Sequence, residues 1–226
     1  MNKLETGRQV SNTKKLVVSA VLIALGTAIS FVCEFIPFLN LPFGGTITIA
    51  SLLPLVLIGY MFGPAWGFSA SFVYSLLQIL VGFRTVGALF TPTSDSFMGI
   101  RIAFLVVLLD YVLAFTSVGV SSLFRKMKRP VAAVVVGTVA GLLACYFFHF
   151  LSGYLFYGAW AEWFFTDTVI KDLSVSKWIL GTFSGKGLAA VYSAVYNGCY
   201  MIPEIVITAV AGAAVAPLSL IRKNKC

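Results

Sequence analysis

Residues 130–157 read PVAAVVVGTVAGLLACYFFHFLSGYLFY and contain no Lys, Arg, Asp or Glu. A helix of about 20 apolar residues crosses a bilayer core of about 30 Å, so this stretch is long enough to span a membrane. The rest of the 226-residue chain has the same character, with 59% hydrophobic and 11% charged residues. Because about a quarter of the residues in soluble domains are charged, this composition excludes an ordinary soluble domain.

The apolar blocks on either side of this stretch predict an all-α integral membrane protein, a single membrane domain over residues 1–226 with six transmembrane helices. The expected spans are residues 16–35, 47–62, 66–81, 99–124, 130–157 and 188–220. Pro203 lies inside the last span and is expected to kink it, which membrane helices tolerate. The first span is too long for a signal-peptide core, so we expect it to be retained as an anchor.

Lysine and arginine are unevenly distributed between these spans and set the predicted orientation. The chain has 16 Lys and Arg against 8 Asp and Glu, a net charge of +8. With six spans, most of the basic residues fall on one side: Lys3, Arg8, Lys14, Lys15, Arg125, Lys126, Lys128, Arg129, Arg222, Lys223 and Lys225. Basic residues accumulate on the cytoplasmic side, so both termini are expected in the cytoplasm of a cell-membrane protein. The charge therefore indicates contact with a lipid bilayer and no nucleic-acid partner.

Three polar side chains interrupt the apolar spans: Asp110, His149 and Asn197. At about 1.5 Å per residue, each lies about 12–15 Å below the outer surface. An ionisable group is expensive to bury in lipid, so such residues are candidates for a functional site. Three polar groups at one depth on three helices favour a single buried pocket that opens outward. The alternative for each is a hydrogen bond between helices, which is the better interpretation of Asn197 taken alone.

The neighbours of His149 support a pocket. Gly153, Tyr157 and Trp160 share a broad stripe of the same helix with His149. Gly153 leaves room for a flat ligand, and the aromatic rings could stack on it. The alternative is a packing stripe with a close helix approach at Gly153. In the last span Glu204 shares a face with Asn197, and the sequence assigns it no role.

Two further features concern surfaces. Ala20, Ala24 and Ala28 recur every four residues in the first span, and such a stripe of small residues lets another helix approach closely. The outer segment 159–187 mixes aromatic and charged side chains. It fits either an aromatic belt at the membrane surface or a lid over the pocket.

Several kinds of chemistry have no motif in the sequence. The four cysteines and the single histidine form no set with metal-ligand spacing, so neither a metal nor a cofactor is expected. No G-x-x-x-x-G-K-[ST] loop is present, which excludes ATP hydrolysis by the P-loop route. A membrane enzyme that uses Asp110 and His149 as an acid–base pair is the least favoured function, because no nucleophile or metal set accompanies them.

Three motifs stand in order in spans four, five and six: LDYVLAF at 109–115, YFFHFLSG at 146–153 and YSAVYNG at 192–198. Together they resemble the thiamine-specific S components of energy-coupling factor (ECF) transporters, the ThiT or YuaJ family, and the resemblance covers residues 16–220. It implies a high-affinity thiamine-binding subunit of an ATP-driven importer, not an enzyme. It also implies partners on separate chains, a transmembrane coupling subunit and two ATPase subunits, with the Ala20, Ala24 and Ala28 stripe as docking face.

The resemblance also implies which residues bind the ligand: Asp110, His149, Tyr192 and Asn197. The chain departs from the family at three places. The family's carboxylate is usually Glu, whereas this chain has Asp110. Tyr157 occupies the position at which the family stacks a tryptophan on the ligand, and Trp160 follows three residues later. The outer segment 159–187 is longer than the family's. These departures leave open an S component for another flat vitamin or for a thiamine precursor.

Overall fold

The computed structural model describes residues 10–41, 44–168, 171–218 and 221. Parts of the sequence-based predictions lie outside the described residues: Lys3, Arg8, Leu220, Arg222, Lys223, Lys225 and Cys226.

The described part of the chain is helical. Its helices are α1 (Asn12–Glu34), α2 (Leu53–Phe62), α3 (Pro64–Val81), α4 (Phe83–Phe90), α5 (Ile100–Lys126), α6 (Pro130–Phe156), α7 (Ala161–Asp167), α8 (Ser174–Thr182) and α9 (Gly185–Val215). Within the described ranges there is no β-strand, and one isolated antiparallel bridge joins Asn40 to Thr46. The all-α prediction is confirmed.

Five of these helices, α1, α3, α5, α6 and α9, are long and apolar enough to cross a membrane. Their outer surfaces carry large apolar side chains such as Leu80, Phe104 and Val210, which are 68%, 62% and 66% exposed. The interior of the bundle instead contains polar residues such as Ser75 and Thr138, both fully buried. Exposed apolar surface of this extent fits a lipid environment, since soluble proteins rarely show it.

The prediction of a membrane-spanning helix over residues 47–62 is wrong in extent. Only ten residues, Leu53–Phe62, form an α-helix, and the chain before them is irregular, with φ angles of +45° at Ile49 and +66° at Ala50. Pro54 lies in the first turn of α2. Its ring would clash with an upstream helical turn and it has no N–H to donate, so the helix can begin here but cannot extend backwards.

Helix α5 matches the predicted span 99–124 in extent but changes its winding along its length. It is α-helical over Ile100–Val106, a π-helix over Val107–Leu113, α-helical over Ala114–Ser117 and a 3-10 helix over Val118–Lys126. Short π segments inside α-helices occur frequently at functional sites. Asp110 lies at the centre of this one.

Close packing at glycines holds the bundle together. Helix α6 packs against α9 and against the second half of α5. A Cβ atom on Gly137 of α6 would lie 2.6 Å from the carbonyl oxygen of Ser121 in α5, and a Cβ on Gly67 of α3 would lie 3.0 Å from the Cα of Gly59 in α2. Larger residues at these positions would force the helices apart.

We expect Gly137→Ala to lower the melting temperature of the detergent-purified protein, because the added methyl group meets the rigid backbone of α5. Overpacking of this kind costs about 1–3 kcal/mol. The matched control is Gly181→Ala in α8, where an added Cβ has no neighbour within 4 Å. The control should leave stability unchanged or raise it by about 0.5–1 kcal/mol through helix propensity. An equal response of the two variants would contradict the packing account.

Candidate functional site

A cavity lies in the interior of the bundle, lined by α1, α3, α4, α5, α6 and α9 and by the irregular segment that precedes α2. Residues from all of these elements line it, among them Ser30, Glu34, Gly45, Thr48, Tyr74, Gln78, Asp110, Tyr111, Phe115, His149, Gly153, Tyr157, Tyr192, Tyr196, Asn197, Tyr200 and Glu204. Non-helical backbone at membrane depth is tolerated where it lines a cavity, which is the situation of residues 44–48.

The Asp110 carboxylate is held by two side chains of α6. Its Oδ1 lies 3.0 Å from Nδ1 of His149, and its Oδ2 accepts a hydrogen bond from the Ser152 hydroxyl at 2.6 Å. Helix α5 thus presents its acidic group directly to α6. A partly buried carboxylate such as this one needs donors, because an unpaired charge removed from bulk water is destabilising.

The imidazole of His149 is fixed by aromatic rings on two sides. The Phe115 ring contacts it edge-on with the centroids 5.9 Å apart, and the Tyr200 ring does the same at 5.7 Å. Together with the Asp110 contact, these rings determine the orientation of a residue that is only 8% exposed. Orientation of this kind lets a side chain act as a directional hydrogen-bonding group.

Asn197 on α9 joins that helix to α6. Its amide donates to the backbone oxygens of His149 at 3.2 Å and Ser193 at 2.9 Å, and its oxygen accepts from the Tyr200 hydroxyl at 2.6 Å. The helix-to-helix hydrogen bond expected as the alternative for Asn197 is therefore present. The same residue also lines the cavity.

The remaining sequence-predicted residues divide into two groups. Tyr157 and Tyr192 line the cavity, as does Gly153, although a Cβ on Gly153 would collide with the Ser193 hydroxyl of α9. Gly153 therefore permits the close approach of α6 and α9. Trp160 does not line the cavity and instead packs on Tyr157, with the ring centroids 5.7 Å apart.

Sequence reasoning missed most of the aromatic wall. Tyr192, Tyr196 and Tyr200 recur every four residues on α9 and all face the cavity. The Tyr196 hydroxyl accepts a hydrogen bond from the backbone N–H of Gly45 at 3.1 Å, and Phe164 of α7 packs edge-on against Tyr192 and Tyr196. The four-residue spacing of the tyrosines could have indicated from the sequence that they share one face of α9. Helix α7, which belongs to the outer segment 159–187, thus packs against the tyrosine rings of the cavity wall.

Glu204, which had no predicted role, connects the irregular segment before α2 to α9 by a hydrogen bond. Its Oε2 accepts from the backbone N–H of Thr48 at 3.0 Å, and its Oε1 accepts from the Thr208 hydroxyl at 3.1 Å. Thr48 lies 156 positions earlier in the chain, so no local sequence pattern could have indicated the contact.

The cavity lining is predominantly acidic, and His149 is the one basic side chain among its described residues. Glu34, Asp110 and Glu204 contribute carboxyl groups to its lining, and among the described lining residues there is no Lys or Arg. Tyrosine and phenylalanine rings make up much of the remaining wall. Aromatic faces and carboxylates both attract cations, so the cavity is suited to a cationic, partly apolar ligand.

The three alanines of the first span lie away from this cavity. Ala20, Ala24 and Ala28 are exposed on α1. Ala20 and Ala24 border an apolar groove between α1 and α3, whose other wall includes Trp66 and Ala70.

Comparison with known proteins identifies the family. The family model described as Thiamine transporter protein (Thia_YuaJ) matches residues 20–163. The chain belongs to this family. The Thiamine transporter ThiT of Bacillus subtilis (strain 168) is 28% identical over 211 residues, which are 88% of this chain and 90% of the relative. A solved structure of ThiT from Listeria monocytogenes has the same fold, with a TM-score of 0.60 and 21% identity over 94% of this chain and 100% of that chain.

Family membership confirms the resemblance carried by the three motifs. The protein is a multi-pass membrane protein. Its named relatives are transporters, so the Asp110 and His149 pair belongs to a transport protein and not to an enzyme.

The variant Ser152→Ala tests whether the Ser152 hydroxyl stabilises the Asp110 carboxylate. It removes one of two donors to a carboxylate inside the bundle, so we expect the free energy of unfolding to fall by about 1.5–3 kcal/mol, measured by thermal or denaturant unfolding in detergent. The matched control is Ser117→Ala, because the Ser117 hydroxyl is also buried but donates to the Ala114 carbonyl of its own helix. The control should cost less than about 1 kcal/mol. A smaller loss in Ser152→Ala than in the control would contradict the assigned role.

Proposed function

We propose that this protein captures thiamine at the outer face of the cell membrane and is the substrate-binding subunit of an ECF-type, ATP-driven vitamin importer. The observation that carries the proposal is the Asp110 carboxylate, held by His149 and Ser152 in an acidic and aromatic cavity. The family and the name of the Bacillus subtilis relative point to the same vitamin.

The chemistry of thiamine fits this cavity. Its thiazolium ring carries a permanent positive charge, and its aminopyrimidine ring carries a neutral amine that donates hydrogen bonds. Asp110 accepts from the amine and offsets the cation, while the rings of Tyr157 and Tyr192 attract the cation by about 0.5–2 kcal/mol each. His149 and the side-chain oxygen of Asn197, whose amide hydrogens are bonded to α6 and α9, supply directional hydrogen bonds that fix the ligand's orientation.

The other proposed site residues shape the pocket around these groups. Gly153 brings α6 and α9 together at the level of Asn197. Trp160 packs against Tyr157 with the ring planes tilted by 46°, and this contact supports that ring. We assign Trp160 to the site through this contact with Tyr157.

Energy for import comes from other chains in this proposal. The chain has no P-loop, so a transmembrane coupling subunit and two ATPase subunits would supply ATP hydrolysis. The exposed stripe of Ala20, Ala24 and Ala28 is the proposed docking face for the coupling subunit, because small residues let a second helix approach closely. The apolar groove beside it, toward α3, extends that face.

We also propose that the single domain crosses the membrane six times with both termini in the cytoplasm. The irregular segment before α2, together with α2 itself, makes the second crossing. Arg125 supports this arrangement, because its guanidinium donates to the carbonyl oxygens of Tyr60 and Met61 at the end of α2. The end of α2 therefore lies beside the basic turn between α5 and α6, which the distribution of charge assigns to the cytoplasm.

Asp110→Asn should weaken thiamine binding more than any other single change in the site. It keeps the size of the side chain, removes the charge and turns one acceptor into a donor aimed at the ligand amine. The lost charge-assisted hydrogen bond corresponds to a ten- to hundredfold loss of affinity, about 1.5–3 kcal/mol. Asp110→Glu is the matched control and should be much milder, because it keeps the carboxylate.

Affinity by calorimetry and melting temperature should be measured on the same preparations of these two variants. A normal thiamine affinity in Asp110→Asn, with only a lowered melting temperature, would make Asp110 a helix-packing residue. That result would remove the main support for thiamine as the ligand.

Ala24→Trp should abolish thiamine uptake by cells while leaving thiamine binding by the purified protein intact, because the bulky ring blocks the docking face and lies far from the cavity. Leu25→Trp is the matched control. Leu25 is also exposed on α1 but lies about 100° around the helix, so uptake should continue. Equal loss of binding and uptake in Ala24→Trp would assign the stripe to core packing.

A further inference from the structure

Gln78 on α3 is a buried polar residue that none of the binding roles above uses. It lines the cavity and is only 5% exposed. Its Oε1 accepts a hydrogen bond from the Ser30 hydroxyl of α1 at 3.0 Å. Its amide nitrogen, in contrast, has no hydrogen-bond partner within the described residues.

This unpaired nitrogen differs from the other unpaired polar atoms of the described chain. Those atoms are hydroxyl oxygens of helical Ser and Thr residues: Ser19, Thr27, Ser71, Thr116, Ser121 and Thr138. A hydroxyl in a helix can turn toward a carbonyl of its own preceding turn. The Gln78 amide is already anchored at one end by Ser30, so its other end needs a partner from outside its helix. Buried amides without partners are costly, which favours a partner that arrives with the ligand.

The position of Gln78 complements the residues already assigned. Asp110, His149, Tyr192 and Asn197 lie on α5, α6 and α9, whereas Gln78 and its anchor lie on α3 and α1. Tyr74, one turn earlier on α3, also lines the cavity. The α1 and α3 wall therefore adds a polar group to those that α5, α6 and α9 present to the cavity.

We propose that the Gln78 amide is a further ligand-binding group, which forms a hydrogen bond with the terminal alcohol of thiamine. The inference rests on the proposed function and deepens it. With the amine of the pyrimidine directed at Asp110, the alcohol on the thiazolium arm is the polar group left at the other end of the molecule. An alcohol both donates and accepts, so it pairs with the amide whichever end of the amide Ser30 holds.

The proposal makes Gln78 a determinant of specificity. A pyrimidine precursor has no thiazolium arm and gains nothing from this amide. A ligand that carries the arm but has hydrogen in place of the alcohol leaves the amide unpaired. Gln78 thus favours complete thiamine over fragments, because a site built to hydrogen-bond a hydroxyl rejects the analogue that lacks it.

The test compares two ligands on two proteins by calorimetric titration. The ligands are thiamine and its deoxy analogue, in which hydrogen replaces the terminal hydroxyl. The wild-type protein should bind the analogue about five- to tenfold more weakly than thiamine, the size of one neutral hydrogen bond. Gln78→Met, of similar length but apolar, should bind the two ligands within about twofold of each other. Its melting temperature without ligand should fall only slightly, because the change removes the unpaired amide nitrogen together with the acceptor for the Ser30 hydroxyl.

Thr138→Val is the matched control, because Thr138 is buried and unpaired but does not line the cavity. It should preserve the wild-type preference for thiamine. If Gln78→Met retains that preference, the inference is overturned while the proposed function stands. If wild-type protein binds no thiamine, the proposed function fails and the inference fails with it. Should Gln78→Met not fold, Gln78→Leu replaces it, and failure of both to fold would overturn the inference by making the amide a structural group.

Discussion

The central constraint on this structure is a carboxylate placed inside a membrane protein. Asp110 is stabilised there because α6 offers it two donors, His149 and Ser152. Those donors are useful only if α5 and α6 keep a fixed register, which the glycine contact between Gly137 and Ser121 secures. The Asp110 side chain is partly buried, with 20% exposed, and the cost of leaving its charge without donors connects helix packing to the chemistry of the site. The resulting acidic pocket suits a cation, and thiamine is the cation that the protein's family indicates.

Departures from regular helix concentrate around this pocket. The π segment of α5 contains Asp110, and the irregular chain before α2 supplies backbone to the cavity wall. Glu204 and Tyr196 hold that chain to α9 through the backbone N–H groups of Thr48 and Gly45. Regular helix satisfies its own backbone groups, so irregular backbone in a membrane requires partners of this kind. The irregular segments therefore supply groups to the site, and side chains that line the cavity satisfy the backbone of the irregular chain before α2.

The apolar runs of the sequence predicted the helices that cross the membrane, because lipid requires about 20 apolar residues per span. The apolar run at residues 47–62 wrongly predicted a helix over its whole length. Pro54, which favours the first turn of a helix, could have indicated the later start. The π winding of α5 could not be predicted, since an apolar run looks the same in either helix. Asp110, His149 and Asn197 were recognisable as polar residues at one depth. Ser152 and Gln78 were not, because their roles depend on partners from other helices.

A structure of the protein in complex with thiamine would show directly whether Asp110 binds the pyrimidine amine. We expect the ligand between α5, α6 and α9, with its pyrimidine amine within hydrogen-bond distance of the Asp110 carboxylate, about 2.7–3.2 Å. Its thiazolium ring should lie against tyrosine rings of the cavity wall. Thiamine bound elsewhere, or bound in the cavity with its amine away from Asp110, would show that the Asp110 carboxylate is not the group that recognises the ligand.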